Sequence, residues 1–271
     1  MNFVLTGHKG LIGTSLLERL QSQGDKCVGL VDIRANCSID IRNLHLVEPV
    51  EHADILYHLA SFCKIRDCIK NPAMAFEHNV RGTYSVMQFC AKHKIPKIMF
   101  TSSTRVLYPE KNPYTASKLY GEELVKSYGM EYVIVRPSTV YGPFDDLTKR
   151  VTHQFIMAAL KNEDLIIFGD RTKVLDFTYI DDFINAFMQA STTTNRTFNI
   201  GTGHGQNLTD VAQLIINIIG SKSQIVYRPP EKLQPQHVVI DNTDFQCPTS
   251  VETGMTKTIE FWLNKNEKKG L

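Results

Sequence analysis

The 271-residue sequence predicts an α/β protein organised on a doubly wound parallel sheet, and three observations carry that prediction. Short apolar runs alternate with helical patterns throughout the first half. The runs are continuously apolar, as expected of strands buried on both faces. A glycine-rich turn links the first strand to the first helix, where open α/β sheets of this type bind ligands at their carboxyl edge.

The elements follow in order. NFVL opens as a strand and GLIGTSLLERLQSQ continues as a helix; KCVGLV and DILYHLA are the next two strands. A helical stretch covers NPAMAFEHNVRGTYSVMQFCAKH, and KIMFT, counted as the fifth strand, returns to the sheet. A further helix from Tyr114 to Tyr128 stops near Gly129 and leads into EYVIVRP, giving about six strands in all. After Gly142 the rhythm changes: HQFIMAALKN reads as a helix, LIIFG as a strand, DDFINAFMQA as a helix, then TFNIG and TDVAQLIINIIG. Residues 1–142, with returning segments near 165–203, form the main domain, and 143–271 a smaller C-terminal region. No internal repeat or low-complexity tract interrupts them.

Composition removes several classes of function. With 42% apolar and 21% charged residues the chain is an ordinary globular protein. A formal charge of only +2, with Lys and Arg scattered, lacks the basic stripe a nucleic-acid binder needs. MNFVLTGHKG has no basic start leading into a long apolar run, and LIINIIG is too short to span a bilayer, so a cytoplasmic protein with no membrane partner is expected. Cysteines 27, 37, 63, 68, 90 and 247 form no CxxC pair and read as reduced thiols, with no metal site.

TGHKGLIG places Gly7, Gly10 and Gly13 at three-residue intervals between strand and helix. Glycines permit a tight turn and close backbone approach to a pyrophosphate, while the helix N-terminus offers free N–H groups and a positive dipole end. A Rossmann-like dinucleotide site follows, with Gly7, Lys9, Gly10, Leu11 and Ile12 as cofactor-binding candidates. Asp32 ends the second strand 19 positions after Gly13, where a carboxylate accepts from both ribose hydroxyls and repels a 2′-phosphate, favouring NAD. Ile33 and Arg34 join that set; Arg34 and Lys9 are cations that would suit a 2′-phosphate, so NADP stays open.

TSSTRVLYPEKNPYTASKLYGEEL supplies the chemistry. Tyr114 and Lys118 are four apart on a predicted helix and share a face, so an ammonium can lie beside a phenol and stabilise its phenolate. Ser103 follows KIMFT at the carboxyl edge of the sheet, where its hydroxyl can bond a substrate oxygen while Tyr114 exchanges the proton. Ser103, Tyr114 and Lys118 are the catalytic candidates. His58, with no partner base, reads as a structural strand-end histidine.

These segments resemble the extended short-chain dehydrogenase/reductase family, in its sugar-nucleotide epimerase/dehydratase branch, nearly end to end. Gly7, Gly10 and Gly13 resemble its GxxGxxG, Asp40 and Ile41 its adenine-contacting pair, His58–Ser61 its HLAA strand, and Asn79, Gly82 and Thr83 its NxxGT. RPSTVYGP (136–143), FGD (168–170), DFTYIDD (176–182) and FNIGTG (198–203) continue the resemblance. It implies a smaller C-terminal substrate-binding subdomain, adds Asp40, Ile41, Leu59, Ala60, Ser61, Asn79, Thr101, Tyr114, Lys118 and Pro137 to the cofactor set, and gives Ser103, Thr104 and Thr139 as substrate-binding residues.

The departures from the family pattern are specific. Thr104 and Arg105 stand where its dehydratases carry an Asp-Glu pair, which argues against elimination; Leu175 replaces an Arg that grips a diphosphate, Thr139 replaces an Asn, and Ser103 and Tyr114 are only 11 apart. Arg105, Lys149, Arg150, Arg171 and Lys173 are alternative phosphate partners, although most read as solvated surface charge. The resemblance implies an NAD(P)-dependent epimerase of a nucleotide-linked sugar that removes and returns a hydride. An NADPH-dependent keto-sugar reductase is the alternative, supported by GHKG, Arg34 and a Tyr108-Pro109 pair similar to the fucose-synthase group. A non-catalytic dinucleotide sensor is a third reading, disfavoured by the intact triad. A homodimer is expected through the apolar face of Met74, Phe76, Val80, Tyr84, Val86 and Met87, a pattern that core packing explains equally.

Overall fold

Why the apolar runs become one sheet is visible in the side chains they bury. The computed structural model describes residues 1–31, 39–47, 52–144, 150–241 and 244–267. In chain order the first elements are β1 (Asn2–Thr6), α1 (Leu11–Ser22), β2 (Lys26–Val31), a 3₁₀ turn at Ile41–Leu46, β3 (Ile55–His58), α2 (Ile65–Lys70) and α3 (Pro72–Ala75). A π-helical segment Phe76–Arg81 precedes α4 (Gly82–Lys92), β4 (Lys97–Thr101), a 3₁₀ turn at Thr104–Leu107, α5 (Pro113–Ser127) and β5 (Glu131–Pro137). Then come β6 (Thr139–Tyr141), α6 (Val151–Leu160), β7 (Leu165–Phe168), β8 (Val174–Tyr179), α7 (Ile180–Ser191) and β9 (Arg196–Ile200). The chain closes with β10 (Gly205–Asn207), α8 (Leu208–Ile219), β11 (Ile225–Arg228), β12 (His237–Val238) and α9 (Val251–Glu267).

The chain divides into two compact units, Met1–Pro137 with Ile184–Ile200, and Ser138–Phe183 with Gly201–Leu271. In the first, the described residues form a six-stranded parallel sheet in the order β2-β1-β3-β4-β5-β9. The chain moves outward from β1 to β2 and then reverses to β3, which puts a topological switch point at the carboxyl ends of β1 and β3. Alternate residues serve opposite faces. Val4, Leu56, Ile98, Phe100 and Ile134 share a core cluster with Val86, Phe89 and Cys90 of α4 and Val125 of α5. On the other face Tyr57 sits edge-on to Phe3 and tilted against Phe187 of α7, each pair 6.0 Å apart between ring centroids. Both faces are therefore apolar, which is why these strands read as continuous apolar runs.

Three details differ from the sequence reading. KIMFT is β4, the fourth strand in chain order rather than the fifth, because the stretch between β2 and β3 contributes a 3₁₀ turn and no further described strand. Of the segments near 165–203 expected to return to the first domain, only Ile184–Ile200 does so, and TFNIG within the expected stretch supplies the sixth strand of this sheet, β9 pairing with β5. The single helical stretch over 71–93 is divided by its π-helical segment, whose wider turn directs Asn79 inward, with the Thr83 hydroxyl donating to the Asn79 carbonyl at 2.6 Å. The expected dimer face divides too. Val86 and Met87 are fully buried core residues, whereas Phe76 and Tyr84 are 57% and 44% exposed.

In the second unit, β8 is the central strand, flanked by β10 and β12 and paired also with β6, while β7 and β11 form a separate parallel pair. Asp176 on β8, wholly buried, accepts from the Thr202 N–H and hydroxyl (3.0 and 2.7 Å) and the Gly203 N–H (3.1 Å), which ties the FNIGTG segment down. Asp182 likewise accepts from the N–H and hydroxyl of Thr249 at 2.7 and 3.0 Å. Among the described residues no helix is long and apolar enough to cross a membrane.

Because Phe187 is fully buried against Tyr57, Phe187→Ala should leave a cavity. The expected loss is about 3–5 kcal/mol of unfolding free energy. Urea unfolding followed by circular dichroism measures it, and a loss below about 1 kcal/mol contradicts this packing.

Candidate active site

Site residues of the first unit collect at the carboxyl ends of its strands. Gly7 has φ +79°, a conformation glycine adopts freely, and its N–H donates to Val31 O at 2.7 Å. A Cβ on Gly7 would meet the Ala60 backbone nitrogen at 2.6 Å, and one on Gly13 would lie 2.2 Å from the Gly7 carbonyl oxygen. Glycine is thus required at both positions by backbone contact alone. Helix α1 begins beyond Gly10, which provides no side-chain cap, so its first N–H groups, Leu11 and Ile12 among them, face the loop. Lys9 is exposed and Leu11 buried. This cradle fits a dinucleotide pyrophosphate. The Thr101 hydroxyl, buried and without a hydrogen-bond partner among the described residues, is a second feature that fits a bound polar group. Asp32, Ile33 and Arg34, on which the choice between NAD and NADP turns, lie outside the described residues, as does Lys149.

Other members of the cofactor set have work inside the protein. Asp40 caps the 3₁₀ turn and forms a two-pronged pair with Arg42 (2.9 and 2.5 Å), which holds its carboxyl below the usual range. Ile41 is buried against Gly82, where a Cβ would approach to 3.0 Å. The Asn79 carboxamide uses its full complement: its oxygen accepts from Phe62 N–H (2.7 Å) and the Ser61 hydroxyl (3.1 Å), and its nitrogen donates to Phe62 O and the Ser117 hydroxyl (both 3.0 Å). It joins the segment after β3 to helix α5. Leu59, Ala60 and Pro137 are partly exposed at the strand ends, with Leu59 N–H on Thr6 O at 3.2 Å. His58 is 1% exposed and engaged at both ring nitrogens, Nδ1 with Thr6 Oγ1 (2.8 Å) and Nε2 with Thr83 Oγ1 (3.0 Å). Burial, then the nearby Lys118, pushes it down to about 3, so it stays neutral and structural.

Helix α5 carries the catalytic candidates Tyr114 and Lys118. Pro113 occupies its first turn and the Asn112 side chain caps it, accepting from Thr115 N–H at 3.1 Å. Tyr114 is 9% exposed and Lys118 only 3%. The Lys118 ammonium donates to Thr101 O at 2.8 Å and lies 5.1 Å from the Phe100 ring centroid and 5.9 Å from that of Tyr114. Burial lowers its pKa from 10.5 to about 8. Cys68 and Ala75 share the apolar cluster around Tyr114, with Cys63 packed at its edge. Ser103 caps the 3₁₀ turn after β4, accepting from Arg105 N–H at 3.3 Å, and Thr104 donates to Pro137 O at 3.0 Å. That turn packs on α5, bringing Ser103 to the helix that bears Tyr114 and Lys118. The Thr104 hydroxyl is spent on the backbone, and no acid pair follows Ser103.

In the second unit, Thr139 opens β6 opposite Phe177. Leu175 is 4% exposed. Among the cations proposed as surface charge, Lys173 departs: it is 8% exposed and donates to Phe168 O at 2.8 Å. Arg171 is exposed and lies over the Tyr227 ring at 5.5 Å. An open cavity of 260 Å³ is lined by Gly169, Asp170, Tyr227, Arg228, Pro229, Pro230 and Gln236, residues of which only the FGD motif was legible in the sequence.

The sequence profile of the NAD dependent epimerase/dehydratase family matches residues 3–201. The chain is 26% identical over 316 residues to the UDP-glucose 4-epimerase of Mycolicibacterium smegmatis, with 98% of this chain and 100% of that protein covered. The crystal structure of UDP-glucose 4-epimerase with UDP-glucose from Thermotoga maritima superposes with a TM-score of 0.89 at 24% identity, covering 98% of this chain and 100% of that one. The UDP-glucose 4-epimerase of Thermus thermophilus in complex with NAD gives 0.87 at 22%, covering 97% and 99%. At these identities the superpositions establish the fold.

Two outcomes are expected from this geometry. Gly13→Ala should weaken NAD binding at least about tenfold, because the added methyl meets the Gly7 carbonyl; calorimetric titration measures it, and an unchanged Kd contradicts the cradle. Lys118 carries its charge below about pH 8 and loses it above, so turnover should be flat toward pH 8 and decline beyond, a limb absent from Lys118→Met. The sign of the stability effect follows: the unfolded chain binds this proton more tightly, so burial costs stability at neutral pH and the cost is relieved as pH rises from about 8 toward 10.5.

Proposed function

This chain belongs to the NAD dependent epimerase/dehydratase family, and on that premise we propose that it inverts one hydroxyl-bearing carbon of a UDP-linked hexose. The observation that carries this reading is the buried Lys118, held on Thr101 O beneath Tyr114 at the sheet's carboxyl edge. Tyr114, as the phenolate, takes the proton from the sugar hydroxyl and, as the phenol so formed, returns it to the oxygen of the reoriented keto sugar. Lys118 stabilises the phenolate, and the Ser103 hydroxyl donates to the reacting oxygen. When bound, NAD would supply a reversible hydride acceptor for that carbon. The Gly7, Gly10 and Gly13 loop would hold its pyrophosphate, with Thr101 and Lys118 at the far end. Elimination is disfavoured because Thr104 and Arg105 follow Ser103 and the Thr104 hydroxyl is already bonded.

For the nucleotide, the cavity bounded by Gly169, Tyr227, Arg228 and Gln236 supports a site in the second unit, where Arg171, Lys173 and Arg228 are cations at hand, Leu175 standing in place of the family's arginine. The division into a dinucleotide-binding unit and a substrate-binding unit is part of the same reading. Exposed Phe76, Tyr84 and Tyr120 favour pairing of two copies through the π-helical segment, α4 and α5. The free thiols among the described cysteines suit a reducing, cytoplasmic setting.

With UDP-glucose and catalytic NAD, the expected outcome is interconversion with UDP-galactose and no net NADH, followed by chromatography. Tyr114→Phe should lower kcat by about 10²–10⁴. Stoichiometric consumption of NADPH by a nucleotide-linked keto sugar, without epimerisation, would identify a reductase instead.

A further inference from the structure

The face of α5 that carries Tyr114 and Lys118 carries a third polar residue one turn further on, Glu122. It is 1% exposed, yet its carboxylate is fully engaged: Arg136 of β5 donates through Nε at 2.8 Å and Nη2 at 2.5 Å, and the Ser102 hydroxyl donates at 2.5 Å. Successive residues at the end of β4 are thereby fastened to successive turns of one helix. Thr101 O receives Lys118, Ser102 bonds Glu122, and Ser103 is the catalytic hydroxyl. Ser102 N–H also donates to Val135 O at 2.7 Å, so β4, β5 and α5 are locked where all three approach the site.

Stability alone is a weak reason for such a pair, since well-packed apolar residues commonly serve a core as well as a buried ion pair does. A buried anion one helical turn from a buried catalytic cation is a different matter. We propose that Glu122, held by Arg136 and Ser102, is a positioning residue of the reaction: it fixes the register of the Tyr114–Lys118 face against Ser103 and supplies the negative charge that accompanies the Lys118 ammonium.

The groups facing Lys118 are few. Burial is the largest influence and opposes its charged form; against burial stand, in falling order, the sulfur of Cys63 just before α2, that of Cys68 on α2, and the Glu122 carboxylate, while His58 from β3 is neutral and Tyr114 shares its helix. Removal of Glu122 therefore leaves burial less opposed.

The inference rests on the assignment of Lys118 as a group that holds the cofactor and tunes Tyr114, so its test separates the two. NADH affinity of the full chain is measured by fluorescence from pH 6 to 10, beside kcat and KM for UDP-glucose and circular dichroism as a fold check. Glu122→Gln is expected to move the alkaline decline in NADH affinity to lower pH and to lower kcat about tenfold or more at nearly unchanged KM. Glu122→Asp, which keeps the charge, should restore the wild-type pH dependence. Should Glu122→Gln fail to fold, Glu122→Leu with Arg136→Leu removes both charges without leaving one unpaired, and is expected to fold and still show the displaced decline. A wild-type affinity with no alkaline decline overturns the Lys118 assignment and this inference with it. A normal wild-type decline that stays in place in a folded charge-free variant overturns the role of Glu122 alone. Failure of both variants to fold assigns the pair to stability and likewise overturns it.

Discussion

A lysine ammonium that is 97% removed from solvent constrains everything around it, because an isolated ion in the core costs several kcal/mol even after relaxation. Lys118 meets that cost with one carbonyl, Thr101 O, two aromatic faces and the Glu122 carboxylate a turn away. Each partner sits where the sheet ends. The helix must consequently lie close on β4, and Gly121 permits it: a Cβ there would stand 2.5 Å from the Phe100 ring. The same closeness leaves Tyr114 buried beside it.

A second anchor works from the opposite side. Asn79, aimed inward by a π turn, spends every hydrogen-bonding position on Phe62, Ser61 and Ser117, which couples the end of β3 to α5. His58 beneath it is held neutral by its burial and by Lys118, with Thr6 and Thr83 on its two nitrogens. A protonated imidazole here would set two cations in one apolar pocket. Neutrality at His58 and charge at Lys118 are thus two halves of one electrostatic arrangement. Residues that a motif reading groups together as cofactor contacts have distinct settings here: a backbone cradle at Gly7–Ile12, buried Asn79 and Ile41, and a partly exposed Asp40 paired with Arg42.

The parallel sheet, the glycine loop and the Tyr114–Lys118 spacing were legible in the sequence because each rests on local information. Two-sided burial forces continuous apolar strands, a 3.6-residue turn places i and i+4 on one face, and glycines with no room for a Cβ leave a fixed mark. What escaped was non-local. That segments near 165–203 return to the first domain was legible, but that TFNIG pairs with β5 some sixty residues earlier was not, because nothing within the segment marks that partner. The π turn, the buried state of Lys173 and the core role of Val86 and Met87 depend on what packs against them.

By itself, then, the sequence determined the fold class, the nucleotide loop and which residues could do the chemistry, since spacing and residue type suffice where the physics is confined to one turn or one strand. Tertiary structure alone decided that Lys118 is buried, that Asn79 and His58 are fully occupied within the protein, and that Glu122 and Arg136 form a pair. Burial and pairing across the chain set the charge states, and those arise only when strands and helices distant in sequence share the same low-dielectric space.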